Sequence, residues 1–206
     1  MIKRIASGLI VAGIALAPAP AAQAHIVAIR LGDFYAGALH PFTDLQDVLL
    51  WLALGVLAGS LGAMRGRWLV LVFPLGLLTG LTMAPALRDA TADTAVNAGL
   101  TVLLGLLLAA AARVPTALLC VLAFVLAVLR GAANAADLEA NTDRVLFGAG
   151  LVCTGYAAIT LVMALTAAFR GTAAATTTSW RGIALRALGG WIAAIGLMMA
   201  GLAFAA

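Results

Sequence analysis

The chain has 206 residues, of which 65% are hydrophobic and only 10% are charged, and its mean hydropathy is +1.13. Soluble domains are about 45–50% apolar and about 25% charged, so this composition excludes a water-soluble fold. The net charge is +4, but the basic residues stand singly between apolar stretches, without a basic cluster or interleaved aromatic residues. This distribution argues against a nucleic-acid partner. The apolar runs lack a two-residue alternation, so we predict an all-α membrane protein, not a barrel.

The first 24 residues have the pattern of a secretory signal peptide. Lys3 and Arg4 form a basic start, an apolar stretch covers residues 5–17, and the small-residue site Ala22-Gln23-Ala24 follows. The short apolar core and the Ala-x-Ala ending favour cleavage over an uncleaved first helix. Cleavage would leave His25 as the mature N-terminus, outside the cytoplasm, and residues 25–206 as one polytopic membrane domain.

Apolar spans follow, and we expect about six transmembrane helices in a compact bundle. Each span is long enough, with tilt or flanking extension, to cross a hydrocarbon core of about 30 Å. The spans cover about residues 47–64, 68–87, 95–112, 115–129, 145–169 and 183–205. The fourth span is the shortest at its strict apolar limits.

The loop charges predict the orientation. With the mature N-terminus outside, the cytoplasmic positions are Arg65, Arg67, Arg113, Arg170, Arg181 and the snorkelling Arg186. These positions carry no acid, and all 8 acidic residues fall on the outer side. Positively charged loops remain on the cytoplasmic side, so the pattern predicts a bacterial inner-membrane protein with both mature termini in the periplasm.

Polar residues lead directly into the first span. If a helix begins near Pro41, then His40, Asp44 and Asp47 fall at i, i+4 and i+7 on one face. One imidazole and two carboxylates would suit nickel, cobalt, zinc or manganese, held weakly enough for release. The alternative is that both aspartates only favour the helix N-terminus electrostatically, while His40 lies in interfacial polar packing.

Other polar candidates lie elsewhere in the chain. An N-terminal His25 would offer amine and imidazole nitrogens to a metal, although the position of a cleavage site can place a histidine there by chance. After the fourth span, Arg130, Asn134 and Asp137 either face one another across helical turns or are solvated loop charges. Asn97 lies within the third span, where an amide hydrogen-bonds between helices or lines a pathway. The candidate metal ligands are His40, Asp44, Asp47, His25 and Asp137, and the candidate pathway residues are Gln46, Asn97 and Asn134.

Catalytic patterns are missing from the sequence. It contains no Ser/His, Cys/His or HExxH arrangement, so we do not predict an enzyme or a bound cofactor. Cys120 and Cys153 fall in apolar spans without a CxxC spacing, which indicates packing as small hydrophobic residues.

Three features together resemble the HupE/UreJ family: the signal peptide ending in Ala-His25, the His40-Pro41 motif and the Arg130-Gly131 motif. The resemblance covers essentially the whole mature chain. It implies a small helical membrane protein of the kind associated with hydrogenase and urease operons and regarded as a nickel or cobalt permease.

The family motifs are only partly retained. The first helix of the family opens with His-Pro-x-x-Gly-x-Asp-His, and the corresponding positions here are His40, Pro41, Asp44, Gln46 and Asp47. The second motif, His-Gly-x-Ala-His-Gly-x-Glu, falls on Arg130, Gly131, Ala133, Asn134, Ala135 and Asp137. Its histidines are replaced and its acid is an aspartate, and the later family histidine is absent from 153–156.

These substitutions leave two hypotheses. In the first, the chain is a divalent-metal permease whose metal ligands form an outer capture site, and the loss of imidazoles shifts its preference toward harder ions. In the second, it is a non-transporting subunit that packs in a larger membrane complex or a homo-oligomer. Small residues at helical spacing, as in Gly55/Gly59 and Gly76/Gly80, predict close packing between helices. Such residues favour the second hypothesis, and the retained His40-Pro41 favours the first.

Overall fold

A computed structural model describes residues 32–92, 94–136, 138–139, 141–171 and 179–205. This part of the chain is helical and contains no strand. Its helices are α1 (Gly32–Phe42, ending in a 3-10 turn), α2 (Leu45–Leu61), α3 (Ala63–Gly66), α4 (Leu69–Ala92), α5 (Thr94–Ala109), α6 (Thr116–Ala136), α7 (Arg144–Arg170) and α8 (Trp180–Ala205). The predicted signal peptide and His25 lie outside the described residues, so cleavage stays a prediction.

The helix boundaries follow from local capping. The Asp44 carboxylate accepts a hydrogen bond from the Gln46 N–H at 2.9 Å, and Asp44 directly precedes Leu45, the first residue of α2. In the same way, the Asp143 carboxylate accepts from the N–H groups of Val145 and Leu146 at the start of α7. These contacts satisfy amides that have no partner within a helix. At its other end α7 stops at Gly171, whose φ of 63° suits a residue without a Cβ.

Four segments are long and apolar enough to cross a membrane, namely Ala63–Thr91, Thr116–Ala136, Arg144–Arg170 and Trp180–Ala203. α1 and α2 would form a fifth span if counted as one, but they meet at an angle of 75°. These are the apolar helices of a multi-pass membrane protein. The expected number of six stays a prediction, because the predicted third span corresponds to an apolar helix of only 16 residues, α5.

Two sequence-based expectations about helix limits are wrong. The predicted fourth span is not short, because α6 has 21 residues and continues through Arg130 and Asn134. Both side chains are buried, at 3% and 2% exposure, so they are not solvated loop groups. His40, Asp44 and Asp47 also do not share one helix face, because His40 belongs to the last turn of α1 and the chain bends before α2.

Glycines bring the helices into close contact. Gly55 and Gly59 of α2 face Val162 and Thr166 of α7, where an added Cβ would lie within 3 Å of those side chains. Gly76 and Gly80 make the equivalent approach from α4 to α6. In lipid, where apolar side chains gain little from meeting one another, such approaches allow tight helix packing. The predicted packing role of these residues is confirmed.

Helix direction separates the described charges into two groups. α2, α5 and α7 run opposite to α4, α6 and α8, as the pairing of their contacts along each helix indicates. At one end, here named the cavity end, lie Asp33, Asp44, Asp47, Arg88, Asp89, Arg130, Glu139, Asp143 and Arg144. At the other, the arginine end, lie Arg65, Arg67, Arg113, Arg170, Arg181 and Arg186. Every acidic residue in the described ranges is at the cavity end.

Candidate functional site

A polar cavity of about 560 Å³ opens at the cavity end of the bundle. It lies where the bend between α1 and α2 meets the end of α4, the start of α5 and the last turns of α6. Its lining residues are His40, Thr43, Asp44, Gln46, Asp47, Arg88, Thr91, Asn97, Arg130, Ala133, Asn134 and Ala136. Residues from both resemblance motifs therefore line one cavity.

The Arg130 guanidinium is the centre of this cavity wall. Its Nε donates to Asp47 Oδ1 at 2.6 Å, and its Nη2 donates to Asp44 Oδ2. The Arg130 and Asp47 side chains are 3% and 1% exposed, whereas the Asp44 side chain is 43% exposed. One cation is thus held between two carboxylates, one deep in the protein and one at the cavity surface.

Amide oxygens complete the surroundings of the guanidinium. Arg130 Nη1 lies 3.2 Å from Gln46 Oε1 and 3.4 Å from Asn97 Oδ1. The Asn97 amide nitrogen donates to the Thr91 carbonyl at 3.1 Å, which fixes the amide with its oxygen toward Arg130. All three guanidinium nitrogens therefore face side-chain oxygens.

Asn134 supports the deeper carboxylate. Its amide nitrogen donates to Asp47 Oδ2 at 2.7 Å and to the Arg130 carbonyl at 2.8 Å, one helical turn earlier on α6. Both carboxylate oxygens of Asp47 are therefore hydrogen-bonded. The Asn134 amide oxygen is buried and has no hydrogen-bond partner within the described part of the chain.

The charges of this cluster explain why α6 can bury an arginine. A buried ion is tolerated when a partner of opposite charge and further hydrogen bonds replace its hydration. Arg130 has a planar fork of donors that can meet several oxygens at once, whereas a lysine presents a single compact charge. The two aspartates and Arg130 leave a net charge of −1, and Arg88 adds a positive charge to the cavity lining.

His40 lines the same cavity from α1. Its ring packs edge-on against Phe147 of α7, with centroids 5.7 Å apart, and its carbonyl accepts from the Thr43 N–H and hydroxyl. This packing agrees with the alternative interpretation of His40 as a packed polar residue. It does not remove the imidazole from the cavity.

The predicted site residues fall into two groups. His40, Asp44, Asp47, Gln46, Asn97 and Asn134 all line the cavity, while His25 and Asp137 lie outside the described residues. No group of three or more His, Cys, Asp or Glu side chains that could hold a metal ion occurs among the described residues. Arg130 was not predicted as a site residue. Its signals in the sequence were its position at the first histidine of the second resemblance motif and its helical spacing from Asn134.

Comparison with known proteins identifies a family for this chain. No curated protein and no solved structure matches the chain. A family model described as HupE / UreJ protein matches residues 12–199, which is most of the sequence. The chain therefore belongs to the HupE/UreJ family.

Proposed function

We propose that the chain is a permease, or a metal-supply accessory protein, for a divalent metal ion. Membership of the HupE/UreJ family supports a nickel- or cobalt-type accessory or permease role. The ion is the transported substrate, and it enters the bundle through the cavity that Asp44, Asp47 and His40 line.

One observation carries this proposal: distant segments of the chain bring their polar residues into a single cavity. His40, Asp44 and Asp47 come from the region before and at the start of α2, and Asn134 comes from the end of α6. Polar and ionisable side chains are costly in the membrane, so a cluster of them beside a cavity is typical of an ion pathway. The described charges of the cavity end, six acids against three arginines, attract cations toward this end of the bundle.

The donor chemistry bears on which ion is preferred. Within the described part of the chain the cavity offers one imidazole, that of His40, and otherwise carboxylate, amide and hydroxyl oxygens. Nickel and cobalt bind well to imidazole, whereas carboxylate and carbonyl groups suit magnesium, calcium and manganese. We therefore include manganese beside nickel, cobalt and zinc as test ions.

Metal uptake by cells expressing the full chain tests the proposal. Expression is expected to raise cellular content of at least one of nickel, cobalt, manganese and zinc, measured by mass spectrometry. His40→Ala should raise the half-saturating concentration about tenfold, because a lost interaction of about 1.4 kcal/mol changes a binding constant by that factor. Asp89→Asn is the matched control, since Asp89 is an exposed acid of the cavity end that does not line the cavity. Uptake equal to that of empty-vector cells for every ion would contradict the permease proposal.

A second candidate function is a non-transporting subunit of a membrane complex. The observation in its favour is that Arg130 already forms ion pairs with both carboxylates. These ion pairs also connect α6 to the start of α2 and therefore have a structural role. Purification from mild detergent distinguishes the two functions. A stoichiometric membrane partner, together with no uptake of any test ion, would support the subunit.

A further inference from the structure

We propose that the Arg130 guanidinium is a tethered cation that occupies the place of the transported ion, and that a divalent ion binds only by displacing it. This inference rests on the proposed permease function. It adds the residue that regulates the site and the class of ion that the site accepts.

The first support is the shell around the guanidinium. Its contacts are the carboxylate oxygens of Asp44 and Asp47 and the amide oxygens of Gln46 and Asn97. These four oxygens surround one positive charge as ligands surround a metal ion. With the guanidinium withdrawn, the same oxygens are left as candidate ligands for another cation.

The second support is the Asn134 amide oxygen. Its amide nitrogen is fixed by Asp47 Oδ2 and the Arg130 carbonyl, so the orientation of the amide is determined. The remaining oxygen is buried in the cavity wall and has no hydrogen-bond partner among the described residues. It is available as a further neutral ligand beside Asp47. A set made only of oxygens suits hard ions such as Mg²⁺, Ca²⁺ and Mn²⁺.

Charge makes the process an exchange. Within the oxygen shell itself, two carboxylates and a divalent ion sum to zero, whereas the same ion added beside Arg130 would leave an excess positive charge next to the buried Asp47. Uncompensated buried charge is strongly unfavourable, so the ion and the guanidinium compete for one position. The displaced guanidinium can move toward solvent, because the cavity opens at the end of the bundle and its volume of about 560 Å³ far exceeds the roughly 30 Å³ of one water molecule.

Mn²⁺ binding to the purified full chain in detergent tests the exchange. Free Mn²⁺ is measured by electron paramagnetic resonance, for wild type, Arg130→Lys and Arg130→Ala. The half-saturating concentration should fall in that order, by about tenfold or more from wild type to Arg130→Ala. Lysine is expected to be intermediate because its compact ammonium cannot span both carboxylates as the guanidinium does. Arg88→Ala is the control for loss of a positive charge in the same cavity lining, and it should change the value far less than Arg130→Ala.

Thermal unfolding separates exchange from a purely structural role. Removing Arg130 should lower the melting temperature without metal, and Mn²⁺ should restore much of the loss in Arg130→Ala, since a ligand stabilises the state that binds it. A lowered melting temperature that Mn²⁺ does not change would overturn the proposal. If Arg130→Ala does not fold, the comparison of wild type with Arg130→Lys tests the proposal. Equal half-saturating Mn²⁺ concentrations for these two proteins would also overturn it.

The outcomes distinguish this inference from the permease proposal. Tighter Mn²⁺ binding by the Arg130 variants, with no metal uptake by cells expressing the wild type, would support the tethered cation and contradict the permease proposal. Metal uptake by cells expressing the wild type, with Mn²⁺ binding unchanged in the Arg130 variants, would support the permease proposal and contradict the tethered cation.

Discussion

The two ends of the bundle use arginine in different ways. At the cavity end, Arg130 is buried and pairs with two carboxylates. At the arginine end, Arg170 donates to the Ser60 carbonyl, and Arg186 Nε donates to the Ala109 carbonyl at 2.9 Å. These carbonyls lie near the ends of helices, where acceptors have no partner within the helix and the dipole favours a positive charge.

Aromatic rings distinguish the arginine end further. The Arg181 guanidinium lies 5.5 Å from the Trp180 ring centroid and 6.0 Å from that of Phe169, and Arg67 lies 5.3 Å from Trp68. Arginine and tryptophan together are typical of a membrane interface. Arginine thus anchors and caps helices at one end, whereas at the other it serves as the counter-ion of a polar cavity.

The largest expected effect on stability is at Asp47. Asp47→Ala leaves the guanidinium beside an empty position and should lower the free energy of unfolding by about 3–5 kcal/mol. Asp44→Ala should cost about 1–2 kcal/mol, because its side chain is 43% exposed and it contributes a half-exposed ion pair and a helix cap. Denaturant titration in detergent measures both. Equal losses would contradict the assignment of Asp47 as the deeper partner.

A pair of glycine variants gives an intermediate effect and compares the two ends. A Cβ at Gly131 of α6 would overlap the Leu77 carbonyl, and one at Gly189 of α8 would overlap the Ala109 amide. Either glycine-to-alanine change should cost about 1–3 kcal/mol through overpacking.

Mn²⁺ binding should separate the two glycine variants, because Gly131 adjoins Arg130 and Gly189 lies toward the arginine end. Only Gly131→Ala should alter binding. A change of binding in Gly189→Ala as large as in Gly131→Ala would remove the functional distinction between the ends.

The smallest expected effect is at the arginine end. Arg186→Ala removes one hydrogen bond from an exposed side chain and should cost about 0.5–1.5 kcal/mol. Metal uptake should stay at the wild-type level, with Arg113→Ala as a matched change in a neighbouring exposed arginine. Loss of uptake in Arg186→Ala at normal protein abundance would show that the pathway depends on this end as well.

The sequence predicted the features that depend on local pattern. Apolar runs indicated membrane helices, and glycine spacing indicated close helix packing. The two motifs predicted the family. The loop charges predicted that the acids lie opposite the six arginines of the arginine end, and the directions of the helices place the described charges in that way. His40, Asp44 and Asp47 line one cavity, although the helical spacing used to group them does not hold across the bend before α2, and their role as metal ligands stays a prediction.

The role of Arg130 depends on tertiary contacts that spacing does not reveal. Its carboxylate partners are 83 and 86 residues away in sequence, and no local pattern connects them. The polarity of Arg130 and Asn134 also led to a predicted helix end before them. α6 continues because these side chains find partners on α2, so burial by tertiary contact outweighs local polarity.

A structure of the full chain determined with Mn²⁺ tests the central claim most directly. We expect an ion within about 2.5 Å of carboxylate oxygens of Asp44 and Asp47, with the Arg130 guanidinium moved out of its present contacts. An Arg130 side chain still paired with both aspartates at saturating Mn²⁺, with the ion elsewhere or not bound, would contradict it.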